Sequence, residues 1–285
     1  MTEGYSYKKS LKSASSDELI NVYLLRPLAG VLVNVLYCTS VTPNHVTVAA
    51  TLVGIASAAL YSLNTPLMTL IAGLTLTFKD LLDTADGQLA RAKQSNSRSG
   101  RFLDSIGDFL VNLLVFAAIT ASLSDGEPLA LTIVLGILGF LGTSLRVSYH
   151  VFYHSAFLHT QDEYSQNRLT EEILAEDRSA DPFTLRLQSV YLTLYGWQDR
   201  MMMHLDRWCR EGLQQFEGVD KRWYGDKPGL RLTGLLGLGT ELFVLMACSL
   251  ANELKLYLYL NIFLMNGIWL SSILYRRFRL APRLA

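Results

Sequence analysis

The sequence predicts an all-α polytopic membrane protein with six transmembrane helices preceded by an interfacial amphipathic helix. Three observations predict it. Half of the 285 residues are apolar, and the mean hydropathy is positive, as in chains that cross a bilayer repeatedly. Six apolar runs, roughly 42–63, 66–82, 102–123, 128–150, 230–250 and 254–275, each approach the ~20 residues that a helix needs to cross the hydrocarbon core. Helix is the economical choice for these runs, because a lipid-embedded backbone must satisfy its own polar groups.

Composition narrows the function. The 25 basic and 25 acidic side chains balance, so there is no basic excess of the kind that marks a nucleic-acid partner. Cys38, Cys209 and Cys248 are scattered, without a CxxC pair or a disulfide framework. The first 18 residues are polar and include Lys8, Lys9 and Lys12. They do not read as a cleavable signal peptide, and the first span is expected to serve as the insertion signal.

The chain divides into five parts. Residues 1–41 form a cytoplasmic N-terminus and an interfacial helix. Ser16, Asp17 and Glu18 give a helix-start signal. The apolar residues that follow are interrupted by Asn21, Arg26, Pro27, Gly30 and Asn34, which suits a helix lying on the leaflet better than a seventh span. Residues 42–154 hold the first four spans, and 229–275 hold the last two. The turns near 62–66, 122–129 and 251–255 contain a single basic residue, Lys255. The opposite side collects Arg91, Lys93, Arg98, Arg101 and the tail arginines. The positive-inside rule therefore puts both termini in the cytoplasm of an integral membrane protein of the cytoplasmic or inner membrane, with the polar site facing that side. Residues 155–228 are charged and have no spanning run. An acidic half with Glu171, Glu172, Glu176, Asp177 and Asp181 precedes a helical pattern from Pro182 to Phe216, with Leu187, Tyr191, Leu194, Met201, Leu205 and Trp208 near one face. Residues 276–285 form a basic tail, read as an anchor on anionic lipid.

Four carboxylates stand out against this apolar background. Asp83 and Asp86 are i,i+3, while Gly100, Asp104 and Asp108 are i,i+4,i+8, so each set shares one helix face. A helix rises ~26 Å from Pro66 to Asp83, and Asp104 and Asp108 lie one and two turns inside the next span. The two pairs face each other across an antiparallel hairpin near the cytoplasmic edge. Ionisable groups at such depth are costly unless they are paired, hydrated or bound to metal. Hard carboxylate oxygens suit Mg²⁺, Mn²⁺ or Ca²⁺ rather than zinc. Two divalent cations would neutralise the four charges, a known device in phosphoryl transfer. Gly87 and Gly100 leave room for a ligand to approach the backbone. Ala90 adds little bulk, and Arg91 offers a planar fork suited to phosphate.

The complete spacing D-x2-D-G-x2-A-R-x8-G-x3-D-x3-D, from Asp83 to Asp108, resembles the signature of the CDP-alcohol phosphatidyltransferase family. The Pro43-Asn44-His45-Val46-Thr47 start of the first span resembles the family's Pro-Asn start. The resemblance implies six spans, a preceding amphipathic helix and a displacement at phosphorus. A CDP-alcohol donor, most often CDP-diacylglycerol, passes its phosphatidyl group to the hydroxyl of a small polar alcohol acceptor in phospholipid synthesis, and CMP leaves. It implies Asp83, Asp86, Asp104 and Asp108 as ligands of two divalent cations, Mg²⁺ or Mn²⁺, with Asp108 also the catalytic general base. Asp86, Gly87, Ala90, Arg91 and Gly100, with Asn44 and Thr47, would hold the nucleotide, and by analogy the chain would form a homodimer. Some relatives follow a Ser-Tyr at the end of the fourth span with basic residues that hold a phosphorylated acceptor. Here Ser148-Tyr149 is followed by His150 and His154, which puts such an acceptor in doubt.

Other residues carry plainer expectations. Lys79 is expected to pair with Glu241 inside the bundle or to reach a lipid phosphate, and Asp80 to support the motif from beside it. Arg146 and Arg231 are candidates for a phosphate site, with interfacial anchoring the commoner role. His204 and Cys209, at i,i+5, are expected to pack or to lie near the interface rather than to bind metal. The same aspartates would serve a CDP-choline or CDP-ethanolamine type, or a CDP-inositol type, of phosphotransferase. A cation carrier is the non-enzymatic alternative, since intramembrane carboxylates also line ion paths.

Overall fold

The computed structural model describes residues 6–10, 18, 20–161, 171–172, 181–213 and 218–284, and these residues contain helices and turns without a strand. After a single turn at Tyr7–Ser10, the helices are α1 (Asn21–Tyr37), α2 (Pro43–Tyr61), α3 (Pro66–Ala92), α4 (Arg98–Leu123), α5 (Leu129–Thr160), α6 (Pro182–Cys209), α7 (Val219–Tyr224), α8 (Lys227–Gly234), α9 (Leu238–Leu250) and α10 (Leu254–Leu284). Among the described residues, α2, α4, α5 and α10 are long and apolar enough to cross a membrane, and α8 with α9, bent by 43°, adds a fifth if the pair is one broken span rather than a re-entrant loop. These helices are consistent with an integral membrane protein. The six expected spans are thus met by four or five. Helix α3 has the length, 27 residues, but Lys79, Asp80, Asp83 and Asp86 dilute its apolar character.

Helix starts follow local chemistry. Thr42 accepts from His45 N at 3.3 Å while His45 Nδ1 accepts from Thr42 N, with Pro43 opening the helix. Thr65 and Pro66 repeat the arrangement at α3, Asp181 and Pro182 at α6, and Asp226 at α8. Each polar cap satisfies an amide that the helix leaves open, and proline fits the first turn because it has no N–H to lose. The expected start at 16–18 differs. Ser16 and Asp17 lie outside the described residues, and Ile20, before α1, makes no side-chain cap bond. Glu18 instead accepts from Thr240 N at 2.7 Å and from Thr240 Oγ1 at 3.1 Å, covering the N-terminal end of α9, where Gly237 has no side chain to do so.

Helices α2, α3 and α4 pack tightly through small residues. A Cβ on Gly54 would lie 2.5 Å from Val111, and one on Gly107 would lie 2.4 Å from the Thr51 hydroxyl. The α2–α4 approach that brings Thr47 to the acidic motif therefore requires glycine at both places. Tyr61, Leu76, Ile119 and Leu258 fill the core between these helices and the C-terminal ones.

A buried polar knot joins α5, α9 and α10. Arg146, fully buried, meets Glu241 at 2.9 Å, Asn266 Oδ1 at 2.6 Å and the Asn261 carbonyl at 3.1 Å. Asn261 lies in a π stretch, Leu260–Met265, and its amide donates to Thr143 and Glu241. Three expectations are corrected here. Glu241 does not pair with Lys79, because Arg146 takes it. Arg146 is neither an interfacial anchor nor available to a phosphate. Arg276, expected on the lipid surface, is fully buried, with its guanidinium 3.6 Å above the Tyr153 ring.

Helix α6 buries Thr184, Gln188, Gly196, Gln198, Met202, Asp206 and Cys209. The expected stripe is rotated from this face, and Trp208 is 46% exposed. The burial follows hydrogen bonding: Asp206 accepts from Tyr153, Trp223 and Tyr224, each at 2.9 Å, and so fastens α6 to α5 and α7. Cys209 is buried, as packing requires, whereas His204 is exposed and does not pack into the core. Glu176, Asp177 and Phe216 lie outside the described residues.

Candidate active site

Helix α3 continues past its apolar part to Ala92, so Asp83, Asp86, Gly87, Ala90 and Arg91 all project from its last three turns. Ser97 caps α4, accepting from Gly100 N at 3.0 Å, and α4 then carries Asp104 and Asp108. One carboxylate oxygen each of Asp83, Asp104 and Asp108 lies within 4.8 Å of the other two. Asp86 stands beside them but turns toward α2, where Thr47 Oγ1 donates to it at 2.5 Å. One cavity of about 640 Å³ is lined by all ten residues expected from the sequence: Asn44, Thr47, Asp83, Asp86, Gly87, Ala90, Arg91, Gly100, Asp104 and Asp108.

Details differ from expectation. The Arg91 guanidinium folds over Gly87, where a Cβ would lie 3.4 Å from Nη1, and its Nε donates to the Ser10 carbonyl at 2.7 Å. The space at Gly87 thus admits an arginine of the same helix. Gly100 faces Asn44, whose Oδ1 would lie 2.9 Å from an added Cβ, so glycine there lets the start of α2 approach the start of α4. Lys79, fully buried, has its ammonium 3.5 Å from Asp83 and in contact with Asp108. Its partners are thus two members of the motif itself. Asp80 is buried and lines the same cavity.

The far wall of the cavity comes from α6 and was not foreseen. Tyr191, Tyr195 and Asp199 line it, together with Glu171, to which Arg98 (2.9 Å) and Arg101 are ion-paired. Tyr195 donates to the Ser105 carbonyl at 2.9 Å, in the turn between Asp104 and Asp108. Burial, reinforced by the neighbouring Glu171, pushes the Asp199 carboxyl up to about 6, against the opposing pull of Arg101 and Arg200. Asn112 also lines the cavity. The stripe Gly100–Asp104–Asp108 continues to it at the next i+4 position, a signal in the sequence that could have found it. His150 and His154, stacked at 5.7 Å, complete this side.

The residues fit a divalent cation. The donors are hard oxygens, and Asp104 Oδ1 is buried without a hydrogen-bond partner, a costly state for a carboxylate that a cation would relieve. The four motif aspartates, Asp83, Asp86, Asp104 and Asp108, line this cavity together, and four carboxylates carry the charge that two divalent cations cancel.

Among the described residues the fold is all-helical, with helices long and apolar enough to span a membrane, and it carries an acidic cavity at the ends of α3 and α4. Over residues 40–205 the chain matches the family model "CDP-alcohol phosphatidyltransferase". It belongs to that family and is a transferase enzyme of that type. Among curated proteins it is similar to the "Bifunctional IPC transferase and DIPP synthase" of Thermococcus kodakarensis, 36% identical over 135 residues, which are 47% of this chain and 29% of that protein. It is also similar to the protein of the same name from Archaeoglobus fulgidus, 35% identical over 109 residues, 38% of this chain and 20% of that one. The chain therefore spans less than a third of the length of these relatives.

Proposed function

We propose that this protein transfers a substituted phosphate group from a CDP-alcohol to the hydroxyl of an alcohol acceptor and releases CMP. The observation that carries this reading is the convergence of Asp83, Asp104 and Asp108 oxygens within 4.8 Å, beside Thr47-bound Asp86, in one cavity with Arg91 and Asn44. Asp83, Asp86, Asp104 and Asp108 would hold two divalent cations, Mg²⁺ or Mn²⁺, which when bound neutralise the donor diphosphate and polarise its phosphorus. Gly87, Ala90, Arg91, Gly100, Asn44 and Thr47 form the nucleotide side. Asp108 takes the proton of the acceptor hydroxyl as the new P–O bond forms, and the bond to CMP breaks. Lys79 holds the Asp108 carboxylate in place for that transfer. On this reading α3 is a further span, α1 lies along the interface, and the cavity opens to the cytoplasm, where the basic residues collect.

Two donors are in play. CDP-diacylglycerol follows from the family resemblance. A CDP-inositol-type donor is the second reading, favoured by the IPC transferase and DIPP synthase names of both archaeal relatives. Purified protein offered CDP-diacylglycerol, CDP-inositol and CDP-choline in turn, each with a panel of acceptors and Mg²⁺ or Mn²⁺, separates them by which combination yields CMP. Cation flux in liposomes with no CMP from any pair would point to a carrier instead.

A further inference from the structure

We infer that α6 builds a site for a neutral, polyhydroxylated alcohol beside Asp108, and that this alcohol is the acceptor; the second clause rests on the transferase reading above. The argument is one of hydrogen-bond inventory. Tyr195 ties α6 to the Ser105 carbonyl at 2.9 Å and packs edge-on against Phe109, ring centres 5.9 Å apart. The next turn of α6 is thereby held beside the catalytic face of α4. There Gln198, 1% exposed, donates through Nε2 to the Leu194 carbonyl at 3.2 Å. That bond fixes which end of the amide is nitrogen, because the Leu194 carbonyl can only accept and the amide's one donor group is its NH₂. Gln198 Oε1 then faces α5 and receives the hydroxyl protons of Ser148 at 2.6 Å and Ser144 at 3.2 Å.

A serine hydroxyl has one proton to give. With both protons spent on Gln198, Ser144 and Ser148 turn only lone pairs to the cavity they line. Asp199, the residue after Gln198, adds a carboxylate to the same wall. The wall is therefore rich in acceptors and wants a ligand that donates. Each free hydroxyl of a polyol brings one proton to it. A phosphate monoester brings acceptor oxygens and negative charge, and would leave both sides unpaired at a cost. The cations nearest this wall are engaged: Arg98 and Arg101 on Glu171. The His150 ring directs Nδ1 at the Thr233 carbonyl at 2.9 Å. Asn112, one turn beyond Asp108 on α4, lines the cavity with its side-chain amide bonded to no other described residue, and can both give and accept.

The test is calorimetric titration of the full-length protein, with Mn²⁺ and CMP present, using myo-inositol as the neutral probe and inositol 1-phosphate as the charged one. The inference expects saturable binding of the neutral probe and weaker binding of the phosphate. Asp199→Asn should weaken neutral-probe binding about 10-fold or more, the usual weight of a hydrogen bond to a charged group, with CMP affinity unchanged. Ser144→Ala, which keeps the Gln198–Ser148 bond, should weaken it by a smaller factor and serves if the first variant does not fold. Tighter binding of the phosphate, or neutral-probe binding indifferent to both variants, would overturn it. Polyol binding that depends on Asp199, with no CMP formed from any donor, would uphold the site and remove the transferase reading. CMP formed only with phosphorylated acceptors would do the reverse.

Discussion

Lys79 on α3 is ion-paired to Asp108 on α4, with Asp83 of its own helix 3.5 Å from the same ammonium. The contact bridges a proposed metal ligand and the proposed general base. Lys79→Met should free the Asp108 side chain and add one uncompensated negative charge to the cavity. We expect kcat to fall about 10–100-fold, the scale of a small misplacement of a reacting group, with donor KM changed little. Mn²⁺ binding, followed by electron paramagnetic resonance, should tighten. Weaker Mn²⁺ binding in the variant would instead make Lys79 a support of the metal site.

Asp108→Asn keeps the shape of the side chain and removes its basicity. Turnover should drop by about 10²–10⁴-fold, the range of positioned acid–base catalysis, while CMP still binds. Near-normal CMP release from this variant would remove Asp108 from the role of base.

Asp199 gives the acceptor side a pH signature. Its carboxyl is raised to about 6 from an ordinary 3.8 by burial, with Glu171 adding to the rise and Arg101 and Arg200 opposing it. A carboxyl raised in the folded state holds its proton there between about pH 4 and 6, while the unfolded chain has lost it. Its contribution to stability is therefore complete below its unfolded value and is lost as pH rises through about 6. The ionised form is the stronger acceptor of hydroxyl protons, so the acceptor KM should fall over the same interval. The ratio of wild-type to Asp199→Asn acceptor KM, measured from pH 5 to 8, should carry an inflection near 6. A flat ratio would separate Asp199 from acceptor binding.

The Arg146–Glu241 pair predicts an asymmetric stability effect. Arg146→Met leaves a carboxylate buried at 2% exposure beside Asn261, and breaking a buried pair from one side costs about 3–5 kcal/mol. Thermal unfolding in detergent should shift down clearly. The double variant with Glu241→Gln should recover most of the loss. Equal Tm values for the single and double variants would mean that the ion pair does not hold this knot together.

The acidic motif was legible because its geometry is local. Spacings of three and four residues put Asp83 with Asp86 and Asp104 with Asp108 on single helix faces, and a short connection left the two helices no choice but to be neighbours. Helix starts at Pro43, Pro66 and Pro182 were legible for the same reason. Partner choice between distant helices was not. Lys79 and Arg146 both lie in apolar surroundings, and which one meets Glu241 depends on how α3, α5 and α9 cross. The Glu18–Thr240 cap joins residues 222 positions apart, beyond any local signal. Of the α6 wall, only Tyr191 lay on the face that apolar spacing picked out; Tyr195 and Asp199 escaped it, because bonds to Gln198 and Asp206 turn polar positions of the helix inward.

The most direct measurement is CMP release by the purified protein from CDP-diacylglycerol and CDP-inositol with and without Mg²⁺ or Mn²⁺, repeated with Asp104→Asn. The account predicts CMP only when the divalent cation is present, and loss of both CMP and Mn²⁺ binding in the variant. CMP release that survives chelation, or an Asp104→Asn enzyme that turns over normally, would contradict it.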